Sequence, residues 1–117
     1  KPAVVIVALG ANDGLRGLPL WQMRENLKAM VTAAQAAGAR VLIAGMRLPP
    51  NYGPYAIEFY NSFGEVARIG KTSLLEFLLL PVAANLAYFQ PDQLHPTADA
   101  QPLILDHVWP VLLPLIK

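Results

Sequence analysis

The sequence predicts an α/β fold with a parallel sheet, and three patterns in its 117 residues indicate this fold. Three apolar runs, rich in β-branched and aliphatic residues, have the composition of strands that are buried on both faces. Two stretches between these runs carry apolar residues at helical spacing. The resulting order β-α-β-α-β-loop-α is typical of parallel strands in an α/β layer.

The first half of the chain is the more regular one. Gly38 follows an amphipathic stretch and is placed to end that helix. Gly64 weakens the second helical stretch without interrupting its apolar spacing. We predict strands over residues 3–9, 40–46 and 73–80, and helices over residues 20–37 and 55–69.

The remaining segments are less regular. Residues 47–54 contain paired prolines and predict an extended loop. Residues 82–90 are compatible with a short helix or with an ordered loop. We expect Thr97 to cap a last helix that ends near residue 109, because Pro110 and Pro114 follow.

Composition excludes several classes of protein. Hydrophobic residues make up 55% of the chain and charged ones 15%, which excludes intrinsic disorder. A net charge of +1 without a basic cluster argues against a nucleic-acid partner. The absence of cysteine excludes disulfides, thiolate zinc sites and cysteine nucleophiles. The longest apolar run, residues 74–87, is interrupted by Glu76 and Pro81 and is too short to span a membrane.

Three strands make a thin sheet for this architecture. Residues 3–9 are apolar enough for a central strand, which requires neighbours on both sides. We therefore expect further strands of the sheet to lie upstream of Lys1.

Asn12 and Asp13 directly follow the first predicted strand. Open α/β sheets bind ligands at the carboxyl ends of their strands, and an Asn side-chain amide can donate to an oxyanion. The Asn-Asp-Gly sequence is also ordinary turn chemistry, so both interpretations stay open.

Asp92 and His95 form a second candidate pair. A carboxylate three residues before a histidine can accept from the imidazole and orient it as a general base. A surface histidine near a helix start is the alternative. His107 lies inside the last predicted helix and is interpreted as a packing or solvated residue.

Other polar residues have simpler interpretations. Arg16 and Arg47 are expected to be surface or ion-paired charges, and two histidines twelve residues apart do not predict a metal site. Ser62 and Ser73 lack the glycine-flanked turn of a serine nucleophile and are expected to be structural. Four aromatic residues fall at helical spacing and predict core packing: Tyr55, Phe59, Tyr60 and Phe63.

Three segments, LGANDGLRG (residues 9–17), GMRLPPNYG (45–53) and DQLHP (92–96), together resemble the later sequence blocks of the SGNH (GDSL-type) hydrolases. The segments are most similar to the bacterial arylesterase, acyl-CoA thioesterase and lysophospholipase group, and the end of the chain resembles that group's last helix. The resemblance implies a three-layer α/β/α flavodoxin-like fold. It also implies cofactor-free hydrolysis of esters and thioesters by Ser, His and Asp.

The resemblance also implies roles for individual residues. It makes His95 the general base, Asp92 the residue that orients it, and Asn12 a donor to the oxyanion. It further implies a mobile loop over residues 14–19 beside the acyl pocket, with residues 47–52 as the opposing wall. The residues that it assigns to substrate binding are Gly10, Asp13, Gly14, Leu15, Leu48, Pro49, Asn51 and Tyr52.

Two blocks of the SGNH pattern are absent from these residues: the turn with the nucleophilic serine and the block whose glycine amide completes the oxyanion hole. We expect both upstream of Lys1, on an N-terminal segment or a companion chain. Residues 1–117 are then one α/β domain, the carboxy-terminal two-thirds of an SGNH hydrolase domain, inactive alone. The alternative is a non-catalytic α/β module. A nucleotide-binding unit is excluded because no GxGxxG turn follows the first strand.

The expected partner is a small ester or thioester, with no nucleic acid and no transmembrane segment. By resemblance, we expect a periplasmic or secreted protein.

Overall fold

The computed structural model describes residues 3–10, 14, 16–48, 50–91 and 95–116. Within these residues, three strands form one parallel sheet in the order β1-β2-β3. The strands are β1 (Val4–Val7), β2 (Arg40–Ala44) and β3 (Ser73–Leu75). This architecture confirms the predicted α/β fold with a parallel sheet.

Two helices connect the strands and pack against each other. Helix α1 (Leu20–Ala36) joins β1 to β2, and helix α2 (Pro54–Gly70) joins β2 to β3. A third helix, α3 (Gln101–Ile116), follows β3 after a long connection. Short 3₁₀ turns lie at Pro50–Tyr52, Leu86–Tyr88 and Ala98–Ala100.

The helix boundaries follow from local chemistry. Pro54 starts α2, where its fixed φ suits the first turn and its missing N–H costs nothing. Gly38 takes the left-handed conformation (φ 85°) and donates its N–H to the carbonyl of Gln35 at 2.9 Å. This contact confirms the predicted end of the first helix.

The main core lies between the sheet and the layer of α1 and α2. Alternate residues of β2 face this layer, because successive side chains of a strand point to opposite faces. Burial of these apolar side chains is the principal stabilising contribution of the described residues. The cluster consists of Val7, Leu20, Met23, Leu27, Val31, Val41, Ile43, Phe59, Phe63, Val66 and Ala67.

The opposite face of the sheet is covered unevenly. Leu42 of β2 is fully buried there, and α3 contacts β3. Ile6, which pairs with Leu42 in register, is 47% exposed on β1. Helix α3 has no buried residue, although it is strongly apolar. Its exposed large side chains are Leu103, Leu105, Trp109 and Ile116.

Three element predictions were wrong in their details. The third strand ends at Leu75 rather than at residue 80, because the chain leaves the sheet in turns whose apolar side chains resemble a strand by composition alone. The last helix continues to Ile116. It contains Pro110 and Pro114, which are both exposed and each of which leaves one helical carbonyl without its usual N–H donor. Thr97 makes no side-chain cap bond, and its buried hydroxyl has no hydrogen-bond partner among the described residues.

Candidate active site

The three segments predicted to carry function follow the carboxyl ends of the three strands. Residues 8–19 connect β1 to α1, residues 45–53 connect β2 to α2, and residues 76–100 connect β3 to α3. Because the strands are parallel, these connections leave the sheet at one edge. That edge is the position at which open α/β sheets hold their ligands.

The β1–α1 connection contains two described candidate residues, Gly10 and Gly14. Gly10 has a φ of 107°, a conformation that L side chains rarely adopt. The N–H of Gly14 donates to the carbonyl of Gly10 at 3.1 Å, and the N–H of Gly17 donates to that of Gly14 at 3.0 Å. These bonds link Gly10, Gly14 and Gly17 to one another.

The β2–α2 connection contains Leu48, Asn51 and Tyr52. Leu48 packs against the main core cluster from its edge. Asn51 is exposed and Tyr52 is partly buried in the 3₁₀ turn before α2. The structure therefore brings Leu48 to the core that also contacts Gly10 and Gly14, whereas Asn51 lies on the surface.

His95 is exposed in a narrow hairpin between β3 and α3. The N–H of Gln90 donates to the carbonyl of His95 at 2.8 Å, and the N–H of Thr97 donates to that of Tyr88 at 2.8 Å. Phe89 and Pro96 form an antiparallel bridge between the two arms. His95 therefore belongs to a segment whose backbone is held by hydrogen bonds, six residues before the start of α3.

Five predicted site residues lie outside the described residues. Asn12, Asp13 and Leu15 belong to the β1–α1 connection, Pro49 to the β2–α2 connection, and Asp92 to the segment before His95. Their assigned roles stay predictions.

Ser62 and His107 have the structural environments expected for them. Ser62 is 1% exposed, donates to the carbonyl of Glu58 at 2.7 Å and accepts from Nη1 of Arg24 at 3.2 Å. Nε2 of His107 lies 2.9 Å from the carbonyl oxygen of Phe77. Neither side chain belongs to the connections that form the candidate site.

One feature of this edge was not predicted. The guanidinium of Arg47 makes cation–π contacts with two aromatic rings, 4.6 Å from the centroid of Tyr60 and 5.3 Å from that of Phe77. Tyr60 also donates to Glu76 at 3.5 Å. The four residues join α2 to the segments after β2 and β3. The sequence gives no local signal for such a cluster, because its members come from three elements.

A pocket of about 120 Å³ lies between α2 and β3, lined in part by Tyr60, Leu74 and Glu76, and none of the predicted site residues that the structure describes lines it. Among the described residues, no group of three His, Asp or Glu side chains is placed to hold a metal ion. None of the helices in that part of the chain has the length and apolar character of a membrane span.

Comparison with known proteins identifies the class of enzyme to which a chain with this fold and these segments belongs. The model of the GDSL-like lipase/acylhydrolase family matches residues 1–102. The chain belongs to this family of ester hydrolases.

The curated relatives of the chain are named as an esterase, an arylesterase and a thioesterase/protease/lysophospholipase. The chain is 48% identical over 117 residues to esterase TesA of Pseudomonas aeruginosa, covering 99% of this chain and 58% of TesA. It is 38% identical to an arylesterase of Vibrio mimicus, covering 92% of this chain and 54% of the relative. It is 36% identical to thioesterase 1/protease 1/lysophospholipase L1 of Escherichia coli, covering 100% and 57%. The chain thus spans less than three-fifths of the length of these relatives.

Solved structures agree with this assignment. A crystal structure of TesA superimposes with a TM-score of 0.92 at 47% identity, covering 97% of this chain and 64% of that one. The esterase EstA of Pseudoalteromonas sp., in a structure inhibited by monoethylphosphonate, gives a TM-score of 0.90 at 40% identity, covering 98% and 63%. The fold is therefore that of SGNH hydrolases, incomplete relative to these neighbours.

Proposed function

We propose that the complete protein in which these residues occur, below called the full-length protein, hydrolyses aryl esters or short-to-medium acyl esters and thioesters. The observation that carries this proposal is topological. The segments with Asn12 and His95 are two connections at the carboxyl edge of one parallel sheet, in a chain of an ester hydrolase family.

The proposed nucleophile is a serine on a segment upstream of Lys1. His95 takes the proton of its hydroxyl as the oxygen attacks the acyl carbonyl carbon, and Asp92 orients the imidazole. The amide of Asn12 donates to the oxyanion that develops. His95 then gives the proton to the leaving alcohol or thiol, and water activated by His95 releases the acid.

The open surfaces of the fold support the placement of this segment. β1 has a free edge in the described sheet, Ile6 is 47% exposed, and α3 buries none of its residues. A strand that pairs with β1 and a helix beside α3 would cover these surfaces. The relatives contain additional chain of sufficient length for both, because the match covers only 58% of TesA.

A serine-directed fluorophosphonate tests the proposal on two purified samples, the full-length protein and the chain Lys1–Lys117. We expect the probe to label one serine upstream of Lys1 in the full-length protein, and to label nothing in the shorter chain. We also expect the full-length protein to hydrolyse p-nitrophenyl esters or acyl-CoA thioesters, with chain lengths from acetyl to dodecanoyl compared to define its preference.

Two results would contradict the proposal. Labelling of Ser62 or Ser73 would place the nucleophile inside this chain. A folded full-length protein that is neither labelled nor active on any of these substrates would favour a non-catalytic α/β module. We also propose a periplasmic or secreted location, which fractionation of the source cells tests.

A further inference from the structure

Hydrogen-bond donors engage the backbone carbonyls of three consecutive residues that begin at His95. The carbonyl of His95 accepts from the N–H of Gln90 at 2.8 Å, and that of Pro96 accepts from Nε2 of the same glutamine at 3.2 Å. The carbonyl of Thr97 accepts from the N–H of Ala100 at 3.2 Å, in the turn that leads into α3. Gln90 thus holds two of these three carbonyls, one through its backbone and one through its side chain.

Two further features restrict the same stretch of backbone. Pro96 has a fixed φ, and a residue that precedes proline is biased towards extended conformations, which limits His95. Pro96 also forms the antiparallel bridge with Phe89, and the N–H of Thr97 donates to the carbonyl of Tyr88 at 2.8 Å. The chain is therefore held both before and after Pro96.

The side-chain bond of Gln90 contributes little to the stability of the fold. Gln90 is exposed, so water can replace its amide at the carbonyl of Pro96 when the side chain is changed. Water satisfies the carbonyl but does not tie it to the neighbouring segment. Loss of the amide is therefore expected to widen the range of positions open to the backbone at His95.

We infer that Gln90 is a positioning residue, which holds the backbone of His95 and Pro96 so that the imidazole stays within reach of the serine hydroxyl. The inference rests on the proposed function for the role of His95. A general base transfers a proton only within hydrogen-bond reach, so a small displacement of its backbone slows the reaction. Gln90 acts through two backbone carbonyls and not on the reacting atoms.

The kinetic test compares two substitutions of Gln90 in the full-length protein. Gln90→Met has a side chain of similar length that cannot donate, and Gln90→Lys keeps a donor. The value of kcat is measured per active site labelled to completion by fluorophosphonate, at a pH where it has reached its plateau. We expect Gln90→Met to lower kcat about 3- to 10-fold with KM within about twofold, because a displaced base affects the transition state and not substrate binding. Gln90→Lys should stay within about twofold of the wild-type kcat.

Gln35→Met is the matched control. Gln35 also donates through Nε2 to a backbone carbonyl, that of Gly70 at 2.8 Å, and this bond is exposed as well. It joins the last turns of α1 and α2, at the edge of the sheet opposite to the candidate site. We expect Gln35→Met to leave kcat per labelled site unchanged.

Hydrogen exchange measured by NMR tests the restraint without relying on activity. The amide of Thr97 reports on the chain beside Gln90, and the amide of Thr72, which donates to the carbonyl of Ala67 at 3.0 Å, reports on the chain beside Gly70. We expect Gln90→Met to accelerate exchange at Thr97 at least about threefold, because loss of a restraint raises the population of the open segment. Exchange at Thr72 should keep its rate in this variant.

The outcomes separate this inference from the proposed function. Faster exchange at Thr97 with unchanged kcat in Gln90→Met would overturn the positioning role, and unchanged exchange would overturn the restraint itself. A loss of kcat in Gln90→Lys or Gln35→Met equal to that in Gln90→Met would also overturn the positioning role. If the wild-type protein is inactive or His95→Gln retains activity, the proposed function fails, and with it the positioning role; the exchange rates still decide whether Gln90 holds the backbone.

Discussion

Nε2 of His107 lies 2.9 Å from the carbonyl oxygen of Phe77, which ties the middle of α3 to the segment that follows β3. Because a carbonyl oxygen only accepts, the imidazole of His107 donates through Nε2 in this contact. The second histidine of the chain therefore has a structural partner. His95 is exposed and lies in the connection between β3 and α3, so the two histidines form a matched pair for testing the general base.

His95→Gln should abolish catalysis in the full-length protein, and His107→Gln should not. Removal of the general base is expected to lower kcat at least about 10³-fold on p-nitrophenyl esters. Gln at position 107 retains a donor for the carbonyl of Phe77, so kcat should stay within about twofold of the wild-type value. Similar losses in both variants, measured at equal folded fraction, would contradict the assignment of His95.

Ser62→Ala should affect stability and leave catalysis intact. The hydroxyl of Ser62 is buried and bonded both to Glu58 and to Arg24, so its removal is expected to lower the free energy of unfolding by about 1 kcal/mol. Urea denaturation of the full-length protein measures this change, and Ser73→Ala serves as the comparison. A loss of fluorophosphonate labelling in Ser62→Ala would show that the nucleophile lies on α2 and not upstream.

The β-strand and helix order could be predicted from the sequence because burial on two faces and amphipathic spacing are local patterns. The first helix shows this well: it starts at Leu20 as predicted, it ends at Ala36, one residue before the predicted end, and Gly38 has the left-handed conformation expected of a residue that ends a helix. The third strand and the last helix were predicted less well. Composition does not separate an apolar turn from a strand at residues 76–80, and the last helix continues through Pro110 and Pro114, where the usual exclusion of proline from helix interiors predicts an end.

The candidate site, like the fold, could be predicted from the sequence only in part. Each of the three segments follows a strand of one parallel sheet, so the sequence alone predicts that they lie at the same edge of the sheet. The contact of Phe59 with Gly14 has no such local signal, because the two residues are 45 apart along the chain and meet only when α2 packs beside the β1–α1 connection. Helical spacing predicted that Phe59 is buried, and only the structure shows which backbone it approaches.

Two glycines of the β2–α2–β3 unit should respond to alanine with opposite signs. A Cβ on Gly45 would come within 3.0 Å of the backbone carbonyl of Glu76, which is held by the bonds of Gly45 to Leu75 and Leu78. Gly45→Ala is therefore expected to lower the free energy of unfolding by about 2–3 kcal/mol. Gly64 lies in α2 with only a methyl group of Leu74 at 3.9 Å, so Gly64→Ala should raise it by about 0.5–1 kcal/mol. Thermal denaturation measures both, and destabilisation by Gly64→Ala would contradict the described packing.

A polar substitution on the apolar surface of α3 should destabilise the full-length protein, and in the chain Lys1–Lys117 it should reduce self-association. Leu105 is 57% exposed, on a helix that buries none of its residues. If an upstream segment packs on α3, Leu105→Gln removes buried apolar contacts in the full-length protein and should lower its free energy of unfolding by about 1–2 kcal/mol. In the chain Lys1–Lys117, the same substitution removes exposed apolar surface, so it should reduce self-association measured by light scattering. Asp106→Asn, at the next position on α3, is the control and should change neither quantity. If Leu105→Gln instead leaves the free energy of unfolding of the full-length protein unchanged and reduces self-association in both samples, α3 is uncovered in the full-length protein. That result would contradict the proposed position of the nucleophile segment.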